Sequence, residues 1–178
     1  FAGSDWNQNE YESYVKRSRE KLFLMERKPV KIDTGNYRTW FESAAVADFL
    51  GMFSWNGISE ASLRQGCSGF GRMRHDDVRL SPKFSVIEDF SPGFCPKFNS
   101  NGEVSAEKLS LIENGELKNT LVSSRSAKEY GVESNYAESG EYMRSPKMAA
   151  GSLNHEDVVN EIGKGLYLSN IHYLNWSD

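Results

Sequence analysis

The stretch EKLSLIENGELKNTLVSS, residues 107–124, limits the fold more than any other part of the chain. Two apolar-bearing runs flank Asn114-Gly115, the residue pair favoured by a tight two-residue turn with φ > 0 at both positions. The pattern predicts antiparallel strands at 107–113 and 116–122. A hairpin in the middle of the chain requires a sheet. The helical periodicities on either side of it require that helices be interspersed with that sheet.

Helical spacing is clearest at 8–27, where Tyr11, Tyr14, Val15, Leu22 and Met25 fall on one stripe, opposite Lys16, Arg17 and Glu20, with Pro29 as the stop. GNYRTWFES reads as a strand at 36–42. A serine cap at Ser43 then opens a helix over 44–54, with Val46, Phe49, Leu50 and Phe53 as its buried stripe. A short helix runs from Ser59 to Gly66. Residues 67–82 read as a polar, glycine-rich connection, and FSVIED (84–89) as a strand. After the hairpin, Ser124 caps a helix ended by Gly131, and a polar loop of about twenty residues follows. Asn154 caps a last helix, with Asp157 at its third position and Gly163 as its end. The chain closes on GLYLSNIHYLNWSD (165–178), which reads as one long strand. Leu166, Leu168, Leu174 and His172 share one face and Tyr167, Ile171 and Tyr173 the other, with Trp176 near the end. Both faces are apolar, as in a strand covered on both sides, and its edge invites pairing with another chain. The fold class is α+β: an antiparallel or mixed sheet with a central hairpin and several short helices.

Composition excludes several functions. A net charge of −4 with no basic tract argues against a nucleic-acid partner. Trp6, Trp40, Trp55 and Trp176 are scattered, without a stacking motif. No apolar run is long enough to cross a membrane, and the first residues do not read as a signal peptide. Cys67 and Cys95 are too few for a disulfide framework and fit no metal spacing, which makes the cytoplasm the expected setting. The expectation is one domain over residues 1–178.

Candidate chemistry is sparse. His155-Glu156 begins like H-E-x-x-H, but Val159 and Asn160 follow where the second histidine would stand, and acid side chains here suit a helix start. GCSGFGR (66–72) lacks the G-K-[ST] ending of a phosphate loop. Cys67 with His75 as its base is the candidate nucleophile, set against an inert thiol. His172 is a further candidate, set against a packing role. No catalytic residue, metal ligand set or cofactor is assigned.

Four stretches taken together resemble the TldD/PmbA family, also labelled modulator of DNA gyrase: YRTWFESAAVADFL (37–50), DDVRLSPKFSVIEDFSPG (76–93), LSLIENGELKNTLVSSRSAKEYGV (109–132) and GLYLSNIHYLNWSD (165–178). The resemblance runs from about residue 30 to the end. It implies that the chain is part of a larger fold, lacking the family's separate N-terminal domain and its final strands, and that the last strand pairs with strands not in this sequence. The family has two branches. One carries H-E-x-x-x-H and resembles a metallopeptidase; the other lacks the motif and pairs with the first. The motif aligns with Phe41-Glu42-Ser43-Ala44-Ala45-Val46, where only the glutamate survives and Phe41 and Val46 take the histidine positions. Histidines five apart sit ~140° around a helix, so one must precede it, as Phe41 does here. The resemblance therefore implies the metal-free branch, with Glu42 as a surface or capping residue. The chain would be a non-catalytic part of a peptidase assembly that binds an extended peptide by strand addition, alongside a TldD-like metal-bearing partner or as a homo-oligomer. Two other classes remain open: a hydrolase using Cys67 and His75, and a structural domain that oligomerises through its strand edge.

Overall fold

The structure is a computed structural model that describes residues 5–155 and 157–175, and it divides into two compact units, 1–36 and 37–178. The first unit holds helix α1, Gln8–Met25. The Asn7 side chain caps it by accepting the Glu10 N–H at 3.2 Å. The helix stops at Met25, four residues before Pro29. Its predicted apolar stripe is not buried: Tyr11, Tyr14, Leu22 and Met25 are all exposed.

The second unit contains two sheets. Strand β1 (Arg38–Phe41) leads into helix α2 (Ser43–Met52), which ends in a kinked segment, Phe53–Gly57, where Asn56 takes φ 64°. Helices α3 (Glu60–Arg64) and α4 (Gly71–His75) follow, so the stretch predicted as pure connection contains a helical turn. Strands β2 (Val86–Asp89), β3 (Lys108–Glu113) and β4 (Glu116–Leu117) precede helix α5 (Ser124–Tyr130). Strand β5 (Pro146–Met148) lies within the predicted polar loop, and helix α6 (Val158–Ile162) leads to strand β6 (Gly165–Leu168). The main sheet has the order β4-β3-β2-β5 and is antiparallel throughout; β1 and β6 form a separate parallel pair. The class is α+β, as the sequence indicated.

The hairpin turn is the predicted one, with φ 51° at Asn114 and 80° at Gly115. It is also packed. A Cβ on Gly115 would stand 2.3 Å from the Leu80 carbonyl oxygen, and the Gly115 N–H and C=O bond to Phe84 and Leu80. The strand after the turn is much shorter than predicted. The Lys118 and Asn119 N–H groups both reach back to the Leu111 carbonyl, which breaks the ladder, and Leu121 instead pairs with Ser59.

Helix ends differ from the sequence reading by single residues with distinct causes. Ser123, not Ser124, caps α5 by accepting the Ser126 N–H at 3.2 Å. Glu42, not Ser43, is the N-cap of α2, and its side chain bonds elsewhere. Asn154 does not cap α6; its carbonyl accepts the Asp157 N–H, closing a turn before the helix begins. Ser59 and Gly131 behave as predicted, the latter with φ 65°.

The terminal strand is the largest correction. It spans only Gly165–Leu168. The chain bends at Ser169, and the Ile171 N–H donates to the Asp48 carboxylate of α2 at 3.2 Å, which draws it off the strand direction. His172 and Tyr173 are therefore exposed and outside any strand, and Trp176 lies beyond the described residues.

The core gathers Leu50, Phe53, Ile58, Leu63, Phe70, Val86, Leu111, Ile112 and Leu121 between the main sheet and helices α2 and α3. Phe53 meets Phe70 edge-on at 4.8 Å and Phe84 at 5.9 Å. Phe49, predicted to be buried, stays 37% exposed. Ala45 takes the fully buried position on that helix instead.

Candidate functional site

The junction of β1, α2 and β6 concentrates polar side chains. Parallel pairing sets Trp40 beside Tyr167 and Phe41 beside Leu168, and the Glu42 N–H extends the ladder to the Leu168 carbonyl at 2.9 Å. This register requires a glycine at 165, because a Cβ there would stand 2.3 Å from both the Arg38 carbonyl oxygen and the Ile162 Cγ2. Glu42 Oε1 lies 3.3 Å from His155 Nε2, and the Tyr167 hydroxyl donates to the same carboxylate oxygen while sitting 3.3 Å from His155 Nε2. The His155 ring meets Trp40 edge-on at 6.3 Å. The Trp40 indole N–H is buried without a hydrogen-bond partner among the described residues.

Phe41 and Val46 flank this cluster in sequence and supply no ligand atom. Phe41 packs against Phe49 at 6.3 Å, and Val46 packs against the core. A metal centre built on H-E-x-x-x-H does not fit these residues. Glu42 is neither a bare surface residue nor a side-chain cap; it ties His155 to Tyr167. Sequence reasoning treated His155 only with Glu156, which lies outside the described residues. The parallel register of β1 and β6, which brings Tyr167 close, had no sequence signal.

The other sequence candidates lie apart from this cluster in the bonding pattern. Cys67 is exposed and bonds weakly to the Gln65 carbonyl at 3.7 Å. His75 is exposed at the end of α4, and no described hydrogen bond joins it to Cys67. His172 is exposed in the bend after β6.

Five buried carboxylates among the described residues, Glu60, Glu88, Asp89, Glu138 and Glu141, escaped sequence reading, and three of them hold the most partners or the opposite sign of shift. Glu141, 2% exposed, accepts from Ser59 Oγ (2.6 Å), the Ala61 N–H (2.9 Å), the Ser123 N–H (2.9 Å) and Ser123 Oγ (3.0 Å). It thus sits at the N-termini of α3 and α5 at once. Burial pushes its carboxyl up, but the hydroxyl and backbone donors together outweigh that and hold it below the ordinary value. Glu60 accepts both prongs of the Arg74 guanidinium at 3.1 and 2.6 Å, Arg64 Nε at 2.8 Å and Thr120 Oγ1 at 2.6 Å. Burial opposes ionisation there too, yet these donors bring it down to about 2. Glu88 shows the reverse. Burial pushes its carboxyl up despite the Arg144 and Ser145 N–H donors, and it lines a cavity of about 20 Å³ together with Arg144.

An open groove of about 520 Å³ is lined by Lys118-Asn119-Thr120 and residues 132–136. Its lining mixes Val104, Ala106, Leu109 and Val122 with Glu60, Arg64 and Arg74. β4 is an edge strand of the main sheet.

The architecture defines a class first: an α+β domain with a four-stranded antiparallel sheet and a parallel strand pair held by a helix. The chain belongs to the PmbA/TldD family, since the family model described as "PmbA/TldA metallopeptidase C-terminal domain" matches residues 34–178. Among solved structures it is similar to a protein assigned as a modulator of DNA gyrase from Bacteroides thetaiotaomicron, with a TM-score of 0.69 and 14% identity over 91% of this chain and 36% of that one. It is also similar to one with the same assignment from Thermotoga maritima, with a TM-score of 0.64 and 20% identity over 81% of this chain and 34% of that one. TldE from Thermococcus kodakarensis is similar with a TM-score of 0.59 and 20% identity, over 79% of this chain and 34% of that one. The chain thus spans about a third of the length of these relatives. Among curated proteins there is no match. Among the described residues no helix is long and apolar enough to cross a membrane.

Proposed function

We propose that this chain provides a non-hydrolytic domain to a PmbA/TldD-type peptidase assembly and holds an extended stretch of polypeptide for it. The groove lined by residues 118–120 and 132–136 carries the reading. It is open, it mixes apolar residues such as Val104, Leu109 and Val132 with polar ones, and residues 118–120, which follow the edge strand β4 in sequence, line one side of it; strand addition uses such a mixture of backbone bonds and side-chain pockets. Phe41 and Val46 at the motif's histidine positions support the non-hydrolytic part, because neither can polarise a peptide carbonyl through zinc. The partner is a metal-bearing TldD-like subunit or a second copy of this chain. Two unpaired cysteines, Cys67 and Cys95, fit a reducing cytoplasm.

Fluorescence anisotropy with labelled extended peptides tests the reading on the 178-residue chain. Saturable binding is expected, and it should vanish in Val132→Arg, which fills the groove, with the melting curve unchanged. Equal binding by both proteins removes the groove from the reading. No binding by the parent chain rejects peptide holding altogether.

A further inference from the structure

We propose that the exposed face of α1 pairs with the same face of a second copy of this chain, the two helices running antiparallel. This inference stands apart from the peptide reading: no residue of the groove takes part in it, and peptide binding can succeed or fail without it.

Spacing defines the face. Tyr11, Val15, Ser18, Leu22 and Met25 recur at intervals of 4, 3, 4 and 3 residues along α1, the period of a seam between two helices. No residue of α1 is buried, and Tyr11, Leu22 and Met25 are 44%, 58% and 78% exposed. Tyr11, Tyr14, Val15, Ser18, Arg19 and Leu22 line an open channel of about 470 Å³ along this side. Most helical stability in proteins comes from packing an apolar stripe against something else, and here the stripe meets water.

Charge selects the occupant. Residues 8–15 of the helix carry Glu10 and Glu12 and no basic side chain, whereas residues 16–25 carry Lys16, Arg17, Arg19 and Lys21 against Glu20 alone. The two halves are of opposite sign. A second copy in the reverse direction lays each acidic half on a basic half, while a parallel copy lays like charge on like.

The seam fits itself in the reverse direction as well. With Val15 opposite Ser18 of the second copy, Tyr11 falls opposite Leu22 and Gln8 opposite Met25. The small Ser18 is then covered by Val15 in the two central layers, and the Tyr11 ring packs on Leu22 in the layers outside them. A parallel pair would set Ser18 on Ser18 and leave a gap in the middle of the seam. The same antiparallel register brings Glu12 beside Arg19 on the flank of the seam, twice by symmetry. Both side chains are exposed on α1 and can reach across. So short a seam makes the pairing reversible and dependent on concentration.

Sedimentation equilibrium of the 178-residue chain over a concentration series reads the association. The expected result is a monomer–dimer equilibrium that is lost in Val15→Glu/Leu22→Glu. Glu12→Arg and Arg19→Glu alone should each weaken the dimer roughly tenfold, because two symmetry-related attractions become repulsions. The double variant Glu12→Arg/Arg19→Glu should restore it, and that recovery cannot arise from a misfolded helix. A chain that stays monomeric up to ~1 mM overturns the proposal and leaves the face to a different protein. A dimer that survives Val15→Glu/Leu22→Glu is held by another surface and overturns it equally. A dimer that the double variant fails to recover overturns the antiparallel pairing.

Discussion

Two residues hold conformations that their neighbours enforce. Gly115 combines φ 80° with a Leu80 carbonyl oxygen 2.3 Å from where a Cβ would lie. Gly115→Val should therefore cost on the order of 3 kcal/mol, through backbone strain and displacement of the 80–85 segment. Chemical denaturation measures it, and an unchanged midpoint would show that the turn tolerates a side chain. Glu141 is the second. Replacing it with Gln keeps the size but turns an amine toward donors that need an acceptor. One backbone N–H and one hydroxyl then lose their acceptor, the N–H at about 1–3 kcal/mol. A loss below ~1 kcal/mol in the same denaturation experiment would contradict the assigned network. The Asn-Gly pair was legible in sequence because the turn's dihedral demand is local. Glu141 was not, because its partners lie 82 and 18 residues away and a lone glutamate in a polar loop carries no periodic signal.

Elements were legible to the extent that their own residues decide them. Helix α1, the hairpin, β2 and the Ser59 cap follow from side-chain period and capping chemistry. The failures come from tertiary competition. β4 ends early because the chain leaves β3 to pair with Ser59, and the last strand ends at Leu168 because Asp48 takes the Ile171 N–H. An alternating apolar pattern cannot reveal either diversion. At the β1–α2–β6 junction the sequence reading singled out Glu42 but could not supply Tyr167, whose approach depends on parallel pairing between strands 127 residues apart at their first residues. That pairing leaves no space at Gly165. Gly165→Ala should push β6 away from Arg38 and loosen the parallel pair while the main sheet persists. Hydrogen exchange should then speed up at the β6 and Glu42 amides and stay slow in β3. Protection unchanged in β6 would show that the strands can separate by a few tenths of an ångström without cost.

At the scale of the whole molecule, charge links stability to pH. Glu60 and Asp89 titrate at about 2 in the folded chain; burial opposes ionisation at Glu60 but Arg74, Thr120 and Arg64 outweigh it, and Ser91 is the chief cause at Asp89. Glu141 is lowered as well. A carboxyl depressed in the folded state binds its proton more readily when unfolded. For Glu60 the stabilisation is therefore full above the ordinary value near 4.5, for Asp89 above 3.8, and both are lost as pH falls toward 2; Glu141 acts in the same direction. Glu88 has the opposite sign: raised by burial, it favours folding when protonated and opposes it as pH climbs through its folded value. Six lowered carboxyls, Glu60, Asp89, Glu103, Glu116, Glu138 and Glu141, against one raised group predict a melting temperature that declines from pH 5 downward. Glu60→Gln should flatten the acid limb of that curve, whereas a limb of unchanged slope would mean that Glu60 is equally acidic in the unfolded chain.

The Glu141 carboxylate has a consequence for the order in which the chain can become native. Helices α3 and α5 have only five and seven residues, too short to persist alone. Both draw on one acceptor that leaves the ribosome after them. Neither can be completed in a nascent chain that has not yet reached residue 141, and once that residue arrives both are closed by the same event. The two helices therefore belong to a single cooperative unit despite lying 60 residues apart at their last and first positions. In native-state exchange their amides should open with one shared free energy, and in pulse labelling during refolding they should gain protection in the same kinetic phase.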